Sequence, residues 1–416
     1  MTAAIGVTWA IAGLSTVGVI GRPLRCPEWI WAVAGAALLV SAGLMPASAA
    51  GAAIAKGLDV YLFLTGMMLL SETAHEHGVF DWVAATAVNQ ANRSTGRLFL
   101  LVYLAGIVVT VFMSNDATAV VLTPAVFVAA KKAKADPLPL LLACALIANA
   151  ASFVLPISNP ANLVLYGSQM PSLGQWLASF AIPSLASVAV TFVTLRLIER
   201  QRIDGSCECD VEREPLTFGG RLALAGILLT AAVLILASAF GLQLGLPTII
   251  AGTTTAVTVS LLQQQSPIAL MRSVSWGVLP LVAGLFVLVQ ALDRTGVIAL
   301  ISDRLKGLAQ DPIKTAAVAG TALAFASNLI NNLPAGLIAS TAAAQARPPH
   351  IVTDALLIGV DLGPNLSVTG SLATILWLQA IRREGEDVGF LRFLTVGAVT
   401  MPTALAAALT ARLLIT

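Results

Sequence analysis

The sequence predicts an all-α membrane protein that crosses the bilayer about ten times, and its composition is the first reason. Hydrophobic residues make up 57% of the 416 residues and charged residues only 11%; the mean hydropathy is +0.89. An ordinary soluble domain carries about 25% charged residues, so this chain has too few to cover a surface in contact with water. A soluble enzyme, a nucleic-acid-binding protein and a disordered chain are therefore excluded.

Long apolar runs are the second reason for this fold class. A helix needs about 20 residues to cross roughly 30 Å of hydrocarbon, and the runs are too continuously apolar for alternating barrel strands. The N-terminal run has no positive region before it, so we expect a first membrane helix and not a cleaved signal peptide. The predicted spans lie near residues 2–20, 28–46, 58–73, 138–168, 176–196, 219–240, 245–262, 276–292, 352–381 and 390–414.

Two further apolar regions, 98–130 and 314–346, are broken in the middle by polar residues. The interruptions are Ser114-Asn115-Asp116 in the first region and the stretch from Ser327 to Pro334 in the second. About 33 residues are enough for two half-helices of roughly 1.5 Å rise per residue that meet inside the membrane. We therefore expect a re-entrant hairpin in each region.

The basic residues predict the orientation of these segments. Cytoplasmic loops carry an excess of Lys and Arg, and this arrangement collects 16 of the 23 basic residues on one face and seven on the other. The richer face includes Arg93, Lys134 and Arg392, whereas the poorer face includes Lys56 and Arg347. Both termini are thus predicted outside, with the 197–218 loop in the cytoplasm.

The two halves of the chain resemble each other, which is the third reason. Five spans separate the matching elements, and an odd number inverts their orientation, so we expect two inverted-topology repeats. They cover residues 1–196 and 219–416, joined by a cytoplasmic linker at 197–218. The matches are Gly66 with Gly284, Asn115-Asp116 with Asn331-Asn332, Asn149 with Asp361, and Ser158-Asn159 with Gly370-Ser371.

Each repeat therefore contains one hairpin and one broken helix. The predicted broken helices, 138–168 and 352–381, contain Gly-, Pro- and Asn-rich interruptions at 149–163 and 361–374. A broken helix exposes backbone groups, at a cost of several kcal/mol each in lipid unless they face a cavity. Proline and glycine could simply kink packed helices, but four breaks in register favour a secondary transporter with a site near the midplane.

Four segments resemble those of the arsenite–antimonite permeases of the ion transporter superfamily: SNDATAVVLTP, ANAASFVLPISNPANLV, SNLINNLPA and GVDLGPNLSVTGSLATILW. The resemblance covers the chain from about residue 55 to its end. It implies export of trivalent arsenite or antimonite in exchange for protons across the bacterial inner membrane. It also implies optional coupling to a soluble arsenical-pump ATPase.

The polar residues at the breaks suit such a substrate. Arsenite near neutral pH is an uncharged trihydroxide, so its site should offer amides, hydroxyls and open backbone groups in place of a strong charge. Half-helix N-termini at the hairpin tips would favour partial negative charge on a ligand oxygen. The candidate substrate-binding residues are Asn115, Ser158, Asn159, Asn331, Asn332, Asn365, Thr369 and Ser371.

Proton exchange requires a titratable group at the same place, and two acids lie inside interrupted segments. Intramembrane carboxylates cost about 2.5–3.5 kcal/mol on insertion scales and are functional by default. Asp116 and Asp361 are thus the candidate proton carriers, and the repeat pairs them with Asn332 and Asn149. Burial favours the protonated form of a carboxyl group, so such a group can exchange protons near neutral pH. The alternative is a structural carboxylate that caps a broken helix.

Two other motifs are weaker candidates for a functional site. Glu72, His75, Glu76 and His77 resemble a metal cluster, but histidines two residues apart point to different helix faces, which favours a solvated interfacial segment. Cys207 and Cys209 lie in the linker, where thiolates could dock a trivalent metalloid before entry. Two thiols in a loop could equally be incidental.

Several functions stay open at this level. A transporter of the same fold could carry silicic acid, also a neutral polyhydroxylated molecule, or exchange sodium for protons. Carboxylates are disfavoured as cargo because neither interrupted segment contains a basic residue. The sequence does not distinguish a proton-coupled transporter from a passive channel, because no motif in it shows coupling. An intramembrane enzyme is disfavoured because no catalytic motif lies in a suitable context, and no cofactor is expected.

Overall fold

A computed structural model describes residues 2–23, 26–208, 215–308 and 310–415. Within these ranges the fold is all-α, as predicted, and the one β contact is an isolated bridge between Ser94 and Ser206. The helices of the first half are α1 (Thr2–Gly21), α2 (Glu28–Ser41), α3 (Ala47–Lys56), α4 (Leu58–Glu76), α5 (Val79–Gln90), α6 (Thr95–Phe112), α7 (Asn115–Ala117), α8 (Thr123–Lys132), α9 (Pro137–Ala150), α10 (Pro160–Tyr166), α11 (Leu173–Ile198) and α12 (Arg200–Ile203).

The second half has a comparable order of helices. They are α13 (Phe218–Ala239), α14 (Gly245–Leu262), α15 (Pro267–Ser273), α16 (Val278–Arg294), α17 (Val297–Leu308), α18 (Pro312–Ile330), α19 (Asn332–Ala346), α20 (His350–Leu362), α21 (Leu372–Arg383) and α22 (Phe390–Leu414).

Length and composition identify seven described helices that can each cross a membrane, and up to nine spans if two bent pairs are included. The bent pairs are α3–α4, which turns by 51°, and α15–α16, which turns by 49°. The seven include α6 and α18, the first arms of the predicted hairpins, while α2 and α9 are shorter apolar helices. The protein is therefore a multi-pass membrane protein.

The four predicted interruptions are real breaks in the helices. The chain leaves α6 at Met113 and resumes as α7, a π-helical turn at Thr118–Leu122, and α8. It turns between α18 and α19 at Asn331, whose φ of 72° and ψ of 152° are rare for a residue other than glycine. The segments α9–α10 and α20–α21 are separated by irregular backbone and short 3₁₀ turns.

Short helices between the spans are elements that hydropathy did not predict. They are α3, α5, α15 and α17, of 10, 12, 7 and 12 residues. None is long enough to produce a membrane-span signal of its own. Helix α17 contains a charged patch, in which Asp303 and Lys306 are exposed and 3.4 Å apart.

The most extensive helix contacts fall into two groups, called here the first and the second bundle. In the first bundle, α4 packs on α14 and α2 packs on α16 and α1; in the second, α11 packs on α22 and α18 on α20. Glycines permit close crossing of α18 and α20: a Cβ at Gly359 of α20 would lie 2.2 Å from the carbonyl oxygen of Gly320 in α18. Small residues at helix crossings are typical of membrane bundles, where packing replaces the hydrophobic effect. The four broken segments belong to the second bundle and α4 contacts its α10.

Polar contacts join the loops at each end of the molecule. At one end, Lys134 pairs with Glu208, Arg202 with Asp136, and Glu199 with Arg392. At the other end, Lys56 donates to Gln290 and Gln345 donates to Asp293. These contacts group the loops as the basic residues do, and which end faces the cytoplasm stays a prediction.

Candidate functional site

The four breaks present four capped helix N-termini to one another. At each, a side-chain oxygen of the N-cap residue accepts a hydrogen bond from a backbone N–H two or three residues later, which satisfies one exposed donor. These bonds run from Ala117 to Ser114 Oγ (3.2 Å), from Ala161 to Asn159 Oδ1 (3.0 Å), from Leu333 to Asn331 Oδ1 (3.3 Å) and from Ala373 to Ser371 Oγ (3.1 Å). The local sequence, Ser or Asn directly before a helical run, explains why the helices restart there.

A small cavity of about 20 Å³ lies among these N-termini. It is lined by Leu64 of α4 and Val278 of α16, and otherwise by residues from the breaks. Roughly 10–15 Å³ is enough for one water, so a trihydroxide does not fit in this conformation. The polar side chains that line it are Asn115, Asp116, Asn159, Asn332 and Ser371.

Asn159 connects the cavity to the second candidate acid. Its Nδ2 donates to Asp361 Oδ1 at 2.9 Å, while its Oδ1 caps α10. Asp361 is fully buried, on the last turn of α20. The pairing brings together the breaks of the two halves.

Asp116 lines the cavity itself, in the first turn after the hairpin break, and its side chain is partly accessible. Neither Asp116 nor Asp361 has an ion-pair partner among the residues that the structure describes. An intramembrane carboxyl group without a cationic partner is a candidate functional group. No basic side chain lines the described cavity either.

The other four predicted residues lie at the breaks but make bonds within the protein. Ser158 Oγ accepts from the Leu155 backbone and donates to the Val111 carbonyl. Asn331 caps α19 and donates to the Thr369 carbonyl at 3.4 Å. Asn365 accepts from Asn149 Nδ2 at 3.0 Å. Thr369 donates to the Asn328 carbonyl. These four side chains therefore brace the breaks and do not line the cavity.

Asn328 is a bracing residue that the sequence did not single out. Its amide nitrogen donates to the carbonyls of Ala324 and Gly363, and its Oδ1 accepts from the backbone and hydroxyl of Ser367. It lies in the polar stretch of the second hairpin, and that position was the available signal. Sequence could not indicate that its partners lie about 40 residues further on.

A larger vestibule of about 1030 Å³ lies between α4, α10, α16, α19 and α20. Its lining includes Gln290 together with Lys56 and Arg347, two of the basic residues that the topology prediction assigns to the outer face. Its wall includes Val60 of α4, one helical turn from the cavity residue Leu64. On this wall, one turn of α4 therefore separates the vestibule from the cavity.

The remaining motifs lie away from this site. His75 and Glu76 are exposed at the end of α4, and Glu76 accepts from Ser273. In the described ranges no group of three or more His, Cys, Asp or Glu side chains could hold a metal. Cys207 is buried, and its backbone N–H donates to the carbonyl of Arg93. Cys209 lies outside the described residues.

Apolar spans with broken helices and a buried polar site define a membrane transporter. The chain belongs to the CitMHS family, whose model, described as citrate transporter, matches residues 16–360. It is 28% identical over 361 residues to the arsenical pump membrane protein of Yersinia enterocolitica, with 81% of this chain and 82% of the relative covered. A protein of the same name from Escherichia coli is 28% identical over 352 residues, with the same coverage. These matches confirm the resemblance to the arsenical pump family.

Other matches are to transporters of different description. An uncharacterized transporter of Mycobacterium tuberculosis is 26% identical over 389 residues, covering 89% of this chain and 90% of its own. The structure of the Alcanivorax borkumensis YdaH transporter has a TM-score of 0.57 at 15% identity, covering 88% and 86% of the two chains. MtrF of Neisseria gonorrhoeae, from a class of antimetabolite efflux pumps, has a TM-score of 0.50 at 12% identity, covering 85% and 80%. At these identities the two structures show the fold alone.

Proposed function

We propose that this protein exports arsenite or antimonite from the cytoplasm in exchange for protons, by alternating access, and so confers arsenic resistance. The observation that carries the proposal is the cavity shared by the four breaks. It combines amide and hydroxyl groups with the acid Asp116, contacts Asp361 through Asn159, and contains no basic side chain among its described lining. The names of the relatives in Yersinia and Escherichia support the same cargo.

Site chemistry favours a neutral polyhydroxylated solute over an anion. A trihydroxide needs both donors and acceptors, which Asn and Ser side chains provide. Recognition of a tricarboxylate normally uses cationic side chains such as Arg, and the described cavity has none. Citrate, the cargo in the family description, is therefore disfavoured for this chain. Silicic acid and sodium stay as alternatives because they would use the same oxygen-rich groups.

The proposed mechanism uses the two acids as proton carriers. Asp116 and Asp361 would release protons as substrate enters from the cytoplasm and take up protons as it leaves outside. Helix N-termini at the cavity carry partial positive charge, which stabilises the ionised acids between these steps. Substrate and protons would thus compete for overlapping positions.

Two further parts of the proposal concern architecture. Inverted repeats are supported by the similar bends of α3–α4 and α15–α16 and by the reciprocal packing of α4 on α14 and α16 on α2. Outside termini and a cytoplasmic linker would make the vestibule open outward, in the state from which substrate leaves. Residence in the bacterial inner membrane and association with a soluble ATPase are implied by the family resemblance.

Transport into everted membrane vesicles tests the function. We expect arsenite and antimonite to accumulate when the vesicle interior is acidic, and a protonophore to abolish the accumulation. Silicic acid, sodium and citrate are measured in the same vesicles, with vesicles from cells lacking the protein as the control. Arsenite entry that only equilibrates, with no response to the proton gradient, would indicate a channel. Gradient-driven uptake of citrate alone would overturn the proposed cargo.

A further inference from the structure

Helices α10 and α20 are joined by two side-chain bridges, and only one of them is at the cavity. The inner bridge is Asn159 to Asp361. The outer bridge is a hydrogen bond of 2.5 Å from the Tyr166 hydroxyl to Asp354 Oδ1. Tyr166 is seven residues after Asn159, and Asp354 is seven residues before Asp361. The two helices thus run antiparallel, with bridges about 10 Å apart.

The outer bridge continues into a buried ion pair with the end of α22. Arg412 Nε and Nη2 lie 2.8 Å and 2.7 Å from Asp354 Oδ2. Tyr166 and Arg412 are each 8% exposed and Asp354 only 2%. Both carboxylate oxygens are therefore occupied, and the group is removed from water. Charges at such depth are costly, and their best-attested use is to specify one arrangement of the helices.

Helix α10 needs an external support of this kind. It is seven residues long, follows irregular backbone and ends at Gly167, which has a φ of 53°. Helices this short are not stable by themselves, so α10 depends on its packing against α19, α4 and α20 for its position. Its first residues nevertheless form a wall of the cavity.

We propose that Tyr166, Asp354 and Arg412, here called the outer triad, are positioning residues that fix the register of α10 against α20. In this register Asn159 meets Asp361. The outer triad does not line the 20 Å³ cavity, although Tyr166 lines the vestibule; it acts on the cavity through α10. The transport readout rests on the proposed function, whereas the labelling readout described below does not.

Tyr166→Phe is the mildest test because it removes one hydrogen bond and leaves the ion pair intact. Tyr103→Phe is a matched control: Tyr103 is also buried, and its hydroxyl donates to the Val188 carbonyl at 2.7 Å, between α6 and α11. We expect Tyr166→Phe to raise the KM for arsenite at least fivefold and Tyr103→Phe to change it less than twofold. Equal effects of the two variants would contradict the positioning role.

A double-mutant cycle separates positioning from general stability. If the outer triad acts through Asn159, Tyr166→Phe adds little in a background that already carries Asn159→Ala, because the bond that it positions is gone. Additive changes in KM would overturn the proposal. Arg412→Lys retains the charge and should recover part of the transport that Arg412→Gln loses; equal loss in both variants would also count against it.

Cysteine labelling tests the triad without any substrate. In a background where the four native cysteines are replaced, Leu64→Cys places one thiol on the wall of the 20 Å³ cavity. We expect N-ethylmaleimide to label it at least fivefold faster when Tyr166→Phe is added, and at an unchanged rate with Tyr103→Phe. Unchanged labelling in both would overturn the positioning role. Failure of arsenite transport in the unmodified protein, with the labelling difference present, would overturn only the proposed cargo.

Discussion

Asn159 and Asp361 are 202 residues apart in the chain, yet the amide of one donates to the carboxylate of the other at 2.9 Å. Both side chains are buried, and each belongs to a different broken helix. One oxygen of Asn159 caps α10 while its nitrogen contacts the acid, so the same side chain fixes a helix start and holds a proposed proton carrier.

Asn159→Ala should reduce proton-driven arsenite transport about tenfold or more. The substitution removes a hydrogen bond to a charged group, worth about 1.5–3 kcal/mol, and the cap of α10, worth about 1 kcal/mol. Initial rates in everted vesicles measure the effect, with the amount of protein in the membrane measured in parallel. Gln265→Ala, at an exposed position outside the cavity, is the control. Transport at the unmodified rate would contradict a role for Asn159.

Asp116→Asn should abolish transport coupled to the proton gradient and leave the protein folded. The amide is similar in size but carries no titratable proton, and the acid has no ion-pair partner in the described structure whose loss would cost stability. Asp303→Asn, at an exposed acid of α17, is the control and should transport normally. Vesicle uptake and thermal unfolding in detergent measure the two properties. Normal gradient-driven uptake by Asp116→Asn would refute the assignment.

Gly359→Ala should destabilise the second bundle. The added methyl would lie 2.2 Å from the Gly320 carbonyl oxygen, so α18 and α20 must separate. Overpacking of this kind costs about 1–3 kcal/mol, and we expect a lower Tm together with loss of transport. Gly51→Ala is the matched control because a Cβ there meets nothing within 4 Å. Alanine is also a better helix former than glycine, so we expect the Tm of Gly51→Ala to be no lower than that of the unmodified protein.

Cys207→Ser and Cys209→Ser separate two interpretations of the linker thiols. Cys207 is 5% exposed, so we expect its substitution to change the KM for arsenite less than twofold. Docking of the metalloid by both thiols would instead raise the KM similarly in each single variant, because a chelate needs both ligands. A Cys207→Ala variant controls for the added hydroxyl.

Much of the fold is predictable because membrane insertion makes local composition informative. Water-free surroundings require continuous apolar helices, and such runs are visible without knowledge of their neighbours. The predicted span at 245–262 coincides with α14, and that at 390–414 with α22. Short connecting helices such as α5 were not predicted because they are held by packing on α6 and α8 and have no strong signal of their own.

The site was predicted less completely, and Asn332 and Asn365 show why. Both are asparagines at a break, and both were expected to bind substrate. Asn332 lines the cavity. Asn365 instead accepts a hydrogen bond from Asn149 and donates one to the Leu146 carbonyl, so its side chain is not free to bind substrate. The chemistry of the two side chains is identical, so only their neighbours in space distinguish them.

By itself the sequence determined the class of protein, the positions of the breaks and the residues from which a site could be built. These depend on hydropathy and on Pro, Gly, Asn and Ser at fixed positions, which act over a few residues of chain. Only the tertiary structure decided which of those residues share a cavity, which brace it, and that Tyr166 and Asp354 support it from outside. Hydrogen bonds and ion pairs form between atoms about 3 Å apart, and at this site the partners Asn365 and Leu146 are 219 residues apart in the chain.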